Sequence, residues 1–231
     1  MDDILQALRG AGEPTRLRIM AILARCELSV GELCRILGQS QPRVSRHLRL
    51  LTEAGLLERH AEGVNAYYRV ASAGVGAELA RSVLRLIGSD DPTVRPELER
   101  LDEVKAARAD AAAAYFAAVA DEWDEVRGLH VDELEIEAAL LGLVGDEPVR
   151  QLLDIGTGTG RMLELFADRI ELGLGVDLSP RMLGVARSRL DEESLAHCLV
   201  RQADVYDLRH LFDDASFDLA IIHQVLHFLD D

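Results

Sequence analysis

Residues 151–160 read QLLDIGTGTG. A short apolar run ends in Asp154, and Gly156, Gly158 and Gly160 follow at spacing two. Glycine accepts left-handed turns and lets a ligand or a second backbone come close. A strand that ends in such a turn and leads into a helix constrains this part of the chain to an open α/β sheet. The ligand site of such a sheet lies at the carboxyl ends of its strands.

The residues downstream continue the pattern. VRQLLDIG reads as a first strand, LGLGVDLS as a second, CLVRQADV as a third and SFDLAIIHQ as a fourth. GRMLELFADR and PRMLGVARSRL read as the intervening helices, the latter opening at Pro180. Short apolar strands alternating with helices predict a parallel, doubly wound sheet.

The glycine spacing is G-x-G-x-G and not the G-x-G-x-x-G of dinucleotide sites. Asp154 lies two residues before the first glycine, where a carboxylate suits an ammonium group better than a pyrophosphate. The methionine end of S-adenosylmethionine carries such an ammonium. Asp177 follows Gly156 by 21 residues, at the end of the second strand, where a carboxylate can accept both hydroxyls of a ribose. Asp204, at the end of the third, is placed to accept the adenine amino group. Each acid alone is more often a solvated strand-end aspartate, but the three together fit an adenosyl amino acid better than a dinucleotide.

The first seventy residues have a different character. Residues 4–23 carry apolar positions at helical spacing, with a second helix starting at Pro14 and offering Leu17, Met20, Ala21 and Leu23 to a core. VGELCRILG is a short helix closed by Gly38. QSQPRVSRHLRLLTEAG follows, with Ser40 placed to cap it, Pro42 in its first turn and Gly55 at its end. Val44, Leu48 and Leu51 form one stripe, which leaves Ser40, Gln41, Arg43, Ser45, Arg46, His47 and Arg49 for another surface. That division suits a recognition helix, where arginine can bridge the two acceptors of guanine and Gln41 can pair with adenine. LLERHAEGVNAYYRV then alternates as a hairpin turning at Glu62-Gly63, a wing that offers His60 and Asn65.

Charge agrees with this division. Residues 1–70 hold ten arginines against eight acids, whereas residues 71–231 hold fifteen bases against 33 acids, and the whole chain carries −16. An acidic protein is repelled by nucleic acid at long range, so DNA contact is expected only through the near-neutral first segment. Cys26, Cys34 and Cys198 are few and odd in number, which argues for reduced thiols inside a cell. No stretch approaches the roughly 18 apolar residues of a membrane span. The start, MDDILQALRG, lacks a basic n-region. The expectation is a cytoplasmic protein with no membrane partner.

GEPTRLRIMAILAR and ELSVGELCRILGQSQPRVSRHLRLLTEAGLLERHAEGVNAYYRV resemble the ArsR-type winged-helix repressors over about residues 5–87. The resemblance implies a homodimer paired through first and last helices, the last being ELARSVLRLIG, and double-stranded operator DNA as partner. Many members sense metals through two cysteines in an ELCVCDL stretch. Here Ser29 and Gly31 stand in those places. Cys26 and Cys34 have no local His or acid pattern to complete a metal set, so no metal is expected.

YFAAVADEWD, LLDIGTGTG, GVDLSPRML, QADVYDL and FDLAIIHQVLHFLDD resemble class I S-adenosylmethionine-dependent methyltransferases, from about Phe116 onward. By this resemblance Asp154, Gly156, Thr157, Gly158 and Gly160 contact the methionine part and Asp177 the ribose. Leu178 and Met182 flank the adenine, Asp204 and Val205 read its edge, and His223 and Gln224 lie near the sulfur. Methyltransferase sheets of this class have seven strands. The sequence supplies four, which suggests a piece of a longer protein and leaves methyl transfer by this chain an open question.

The expected architecture is an α+β winged helix-turn-helix domain followed by an α/β Rossmann-like methyltransferase domain. The first covers residues 1–88 and serves DNA binding and dimerisation. Residues 89–128 form a linker and a long alanine-rich helix from about residue 97 to 127. Residues 129–231 form the part that binds S-adenosylmethionine or S-adenosylhomocysteine. Tyr115, Phe116 and Trp123 serve either as core packing or as a cap over the ligand. His223 and His227 are the candidate bases near the site; at i and i+4 they lack the third ligand of a metal site, and ordinary pocket and surface roles are the expectation for both. Two functions stay open. One is a regulator, coupled through the long helix, that responds to either sulfur ligand and, as the resemblance implies, controls methionine or methyl-cycle genes. The other is a small-molecule methyltransferase with an accessory winged helix.

Overall fold

The computed structural model describes residues 1–62, 65–87, 91–127, 133–145 and 148–225, with the backbone alone at 116–127 and 133. Contacts divide the chain into two units, Met1–Val104 and Lys105–Asp231.

The first unit opens with helices α1 (Asp2–Ala11) and α2 (Pro14–Leu23). Pro14 pre-sets the first turn of α2, and the Glu13 carboxylate accepts the Arg16 amide at 2.9 Å. Met20 and Leu23 are buried as expected, but Ile19 and Ile22 share the core with them while Leu17 and Ala21 are only half-buried. The short strand β1 (Leu28–Ser29) leads into α3 (Val30–Leu37). Ser29 and Glu32 cap α3 reciprocally. The Ser29 Oγ accepts the Glu32 amide, and the Glu32 carboxylate accepts the Ser29 amide at 2.7 Å. Helix α4 (Gln41–Glu53) follows, with Val44, Leu48 and Leu51 all fully buried.

Strands β2 (Leu57–Glu62) and β3 (Asn65–Val70) pair antiparallel with Glu62 opposite Asn65. β1 adds to β3 on the other side. The turn residue Gly63 falls outside the described residues. Helix α5 (Gly74–Ile87) packs on α1.

Helix α6 (Arg95–Arg127) crosses the boundary between the units. Its first turns are part of the first core. Leu101 and Val104 are buried there, the nearly buried Glu97 pairs with Arg18, and the Arg100 guanidinium donates to the Ile36 carbonyl.

The second unit holds α7 (Glu133–Val144), which the sequence reading did not anticipate. Strand β4 (Val149–Ile155), helix α8 (Arg161–Phe166), strand β5 (Ile170–Asp177), helix α9 (Pro180–Glu192) and strand β6 (Cys198–Gln202) follow. The short helix α10 (Leu208–Leu211) precedes β7 (Leu219–Ile222). The four strands are parallel in the order β6-β5-β4-β7. The chain runs outward from β4 through β5 to β6, then returns to pair β7 on the other side of β4. That reversal makes the carboxyl ends of the central strands the place for a ligand. Leu152, Leu163, Phe166, Leu183 and Val200 form the core under one face of this sheet. Among the described residues no helix is long and apolar enough to cross a membrane.

Candidate functional site

A cleft of about 1670 Å³ opens at the carboxyl ends of β4, β5, β6 and β7. Asp154, Gly156, Thr157, Gly158, Asp177, Leu178, Met182, Asp204, Val205, His223 and Gln224 all line it. Gly160 stands apart. It begins α8 with φ +80, and a Cβ there would press on Ala186 of α9 at 3.2 Å.

The glycine turn is pinned from below. The amides of Gly156 and Thr157 both donate to the Val176 carbonyl of β5, at 2.8 and 2.9 Å. Gly156 has φ +70, and a Cβ on it would overlap the Val225 side chain. Only glycine meets both demands.

Asp154 is 1% exposed, and its Oδ2 has no hydrogen-bond partner among the described residues. Burial pushes its carboxyl up to about 6; the Thr157 hydroxyl offsets part of that rise, and the nearby Asp177 charge adds to it. A buried orphan acceptor on a cleft wall calls for a donor from outside the chain.

Asp177 is already engaged. Its Oδ2 accepts the Gly158 amide at 2.9 Å and its Oδ1 accepts the Ser179 amide at 2.8 Å. It therefore ties the glycine turn to the start of α9. An ionised carboxylate has about four acceptor positions, so two remain for ribose hydroxyls. Asp204 accepts the Tyr206 amide at 3.0 Å through Oδ1. Leu178 and Tyr206, 65% and 62% exposed, are unusually open apolar groups beside it.

His223 Nε2 is buried and has no hydrogen-bond partner among the described residues. Gln224, next to it, adopts φ +56, a strained backbone for a residue with a side chain, of the kind that gathers at functional sites. His227, Phe116 and Trp123 fall outside the described residues or side chains. Tyr115 does not line the cleft; α6 contributes Ala109, Ala112 and Ala113 instead.

Three charged groups escaped the sequence reading. Arg161, first in α8, grips Glu137 of α7 with two bonds of 2.6 and 2.7 Å. The Arg161 guanidinium holds the Glu137 carboxyl below its usual range. Arg189 of α9 donates to the Thr159 hydroxyl at 3.1 Å. An arginine directly after a glycine turn was a readable signal; Glu137 was not, because it reaches the cleft only through the docking of α7.

In the first unit α4 presents Gln41, Arg43, Arg46 and Arg49 to solvent on one side and its leucine stripe to the core on the other. Ser45 is half-buried. Ser40 sits at the start of α4, but its side chain makes no capping bond, which corrects the expectation for it and leaves its exposed hydroxyl to other partners. His47 turns inward, with Nδ1 3.6 Å from the Glu13 carboxylate. Burial lowers its pKa and the nearby Arg16, Arg43 and Arg46 add to that, with Glu13 opposing, so the neutral ring is favoured. His60 is not at the wing tip. It lies two residues back, opposite Tyr67, 3.7 Å from the Glu58 carboxylate. Asn65 is at the tip and exposed.

Where the repressor resemblance would put a thiol, Ser29 is occupied in capping α3. Cys26 is buried, and burial raises the Cys34 thiol pKa, the opposite of the shift a reactive or metal-binding thiolate needs. Among the described residues no group of three His, Cys, Asp or Glu side chains is arranged to hold a metal ion.

Residues 13–59 match the family model for bacterial regulatory proteins of the arsR family, and residues 153–231 match that for a methyltransferase domain. The chain is 43% identical over 67 residues to the arsenical resistance operon repressor of Escherichia coli K12, covering 29% of this chain and 57% of that protein. It is 31% identical over 121 residues to the malonyl-[acyl-carrier protein] O-methyltransferase of Serratia marcescens, covering 52% of this chain and 44% of that protein. The SAM-bound structure of CalS10, an amino pentose methyltransferase from Micromonospora echinaspora, aligns at 26% identity with a TM-score of 0.36, over 48% of this chain and 44% of that one. The chain thus spans about half the length of the curated relatives it matches.

Proposed function

Given a chain that joins an arsR-family winged-helix regulator domain to a methyltransferase domain, we propose a cytoplasmic transcriptional regulator whose second unit holds S-adenosylmethionine or S-adenosylhomocysteine as a signal. The observation that carries the ligand half is Asp154 Oδ2, buried, without a partner among the described residues and on the wall of the cleft. An ammonium group supplies the missing donor and the missing positive charge together. The Asp177 and Asp204 carboxylates keep free acceptor positions for ribose and adenine, and Leu178, Met182 and Tyr206 offer apolar surface to the base.

The DNA half rests on α4. Arg43, Arg46 and Arg49 contact phosphates or guanine edges, Ser40, Gln41 and Ser45 supply shorter donors, and Asn65 at the wing tip reaches the flanking groove. His47 and His60 support neighbouring groups by their inward placement. Pairing of two copies would cover Ile4, Leu5 and Leu8 of α1 and Val75 and Leu86 of α5, all exposed and apolar. Changing Leu5 and Leu8 to Glu is expected to shift sedimentation toward monomer; an unchanged dimer would place the interface elsewhere. The regulated genes would be those of the methionine and methyl cycle, since their products set the levels of both ligands.

Fluorescence anisotropy of the protein on DNA from upstream of its own gene, titrated with each ligand, tests the reading. A shift in DNA affinity with one of them is expected. Binding of both by calorimetry with no shift from either would discard the sensor.

His223 favours a second reading. Its Nε2, without a partner among the described residues, lies in the cleft, where a base can take a proton from a methyl acceptor. S-adenosylmethionine, when bound, supplies the electrophilic methyl group. Transfer of labelled methyl to a metabolite, lost in His223→Ala, would make the chain an enzyme with an accessory winged helix.

A further inference from the structure

We propose that α6 is the coupling element between ligand and DNA, and that the Arg100 bond to the Ile36 carbonyl is its output. This rests on the sensor reading above and assigns it a physical path.

The path is made of contacts that each lie within one unit. At its start α6 is built into the winged-helix core. Leu101 and Val104 are buried there, and Glu97, 3% exposed, is paired with Arg18 of α2. Arg100 donates to Ile36, which is fully buried in the last turn of α3. Ile36 is followed by Leu37 and Gly38, and four residues separate it from Gln41, the first residue of α4. The bond therefore holds the carbonyl end of the helix that leads into the turn before the DNA-facing arginines.

A few residues on, the same helix belongs to the ligand cleft. Arg108 pairs with Asp191 of α9 at 2.6 Å, both side chains being largely buried. Ala109, Ala112 and Ala113 form part of the cleft wall. Alanine carries no side chain beyond Cβ, so whatever fills the cleft on that side bears on the helix backbone itself.

Between the two sets of contacts α6 contains neither glycine nor proline. Arg100 and Ala109 are about 14 Å apart along such a helix. Without glycine or proline, this stretch has no built-in site for a sharp kink, and its stiffness is what the proposal depends on. A displacement of the alanine face on ligand binding is therefore felt at Arg100. Coupling needs a ligand that favours one of two positions of this rod, which is the thermodynamic condition for any allosteric effect.

Ala106 and Ala107 are exposed and lie between the two anchor sets, touching neither the cleft wall nor the first core. The test replaces both with glycine in the full chain, which softens the rod and leaves every anchor in place. A second variant, Arg100→Ala, removes the output bond alone. For the parent and both variants, S-adenosylmethionine and S-adenosylhomocysteine affinities are measured by calorimetry, and DNA affinity by anisotropy with and without each ligand. The parent is expected to show a ligand-dependent change in DNA affinity of roughly 5- to 150-fold. Both variants should keep ligand affinity and shrink that change to within about twofold. If the parent responds and the variants respond equally, the α6 path is wrong and the sensor reading stands. If the parent binds ligand and does not respond, the sensor reading falls and the path falls with it.

Discussion

At the scale of single residues the cleft stores free energy that a ligand can release. Asp154 has a folded-state pKa of about 6 against an ordinary 3.8, because burial disfavours its charge. The folded chain thus holds this proton more tightly than the unfolded one. The group's contribution to stability is greatest below pH 4, declines as the pH rises from about 4 to 6, and remains lost above that. Asp154→Asn is therefore expected to stabilise the ligand-free protein at pH 7, by at most about 3 kcal/mol, and to weaken binding of either sulfur ligand. For the unaltered chain, ligand affinity should fall as the pH drops through 6. Thermal melts and calorimetry between pH 5 and 8 on the order of one unit apart would check both; a pH-independent affinity would remove Asp154 from the ammonium's partners. Gly156→Ala should cost about 1–3 kcal/mol of stability and abolish binding, since φ +70 and the Val225 side chain both oppose a Cβ. Chemical denaturation reads the first effect and calorimetry the second.

At the scale of elements, α4 shows how a one-sided helix divides its work. Its leucine stripe fixes the orientation, so the exposed arginines face outward together. Arg43→Ala with Arg46→Ala should leave folding intact and reduce the slope of log affinity against log salt by about two for each copy on the DNA, about four for the pair, if both neutralise phosphates. Anisotropy at several salt concentrations measures it, and an unchanged slope would assign DNA contact to another surface. The stripe was legible because 3.6-residue periodicity is written into the residues. The inward turn of His47 was not, because its partner Glu13 is 34 residues earlier and adjacent only in the folded unit. The same holds for α7. Its run of Glu, Leu and Ala is compatible with a helix, yet only docking brings Glu137 to Arg161.

At the scale of the whole chain, the first unit extends past the predicted breakpoint near residue 88. Val94, Leu101 and Val104 are buried, and Glu97 is paired within the same unit. A fragment ending at residue 104 should be more stable than one ending at 88 by about 3–6 kcal/mol, the worth of Leu101 and Val104, the two of these side chains that join the first core. Denaturant melts of the two fragments decide it; equal midpoints would return α6 to the role of a linker. Composition pointed to a break at GSDDPTVRP, and that local signal is real, but a break in helix says nothing about which core the next helix joins.

The sequence by itself determined the kinds of element and their order. Apolar period, caps, turn glycines and the strand-end aspartates are local properties, set by backbone sterics and by which side chains tolerate water. Those rules gave the helix-turn-helix, the hairpin, the four parallel strands and the acids at three strand ends. Only the tertiary structure decided that Asp177 ties the glycine turn to the start of α9 through the Gly158 and Ser179 amides, that Asp154 Oδ2 has no partner among the described residues, and that α6 begins inside the winged-helix core. The reason is physical. Burial and hydrogen-bond partnership depend on what packs against a residue from far along the chain, and no local pattern encodes that.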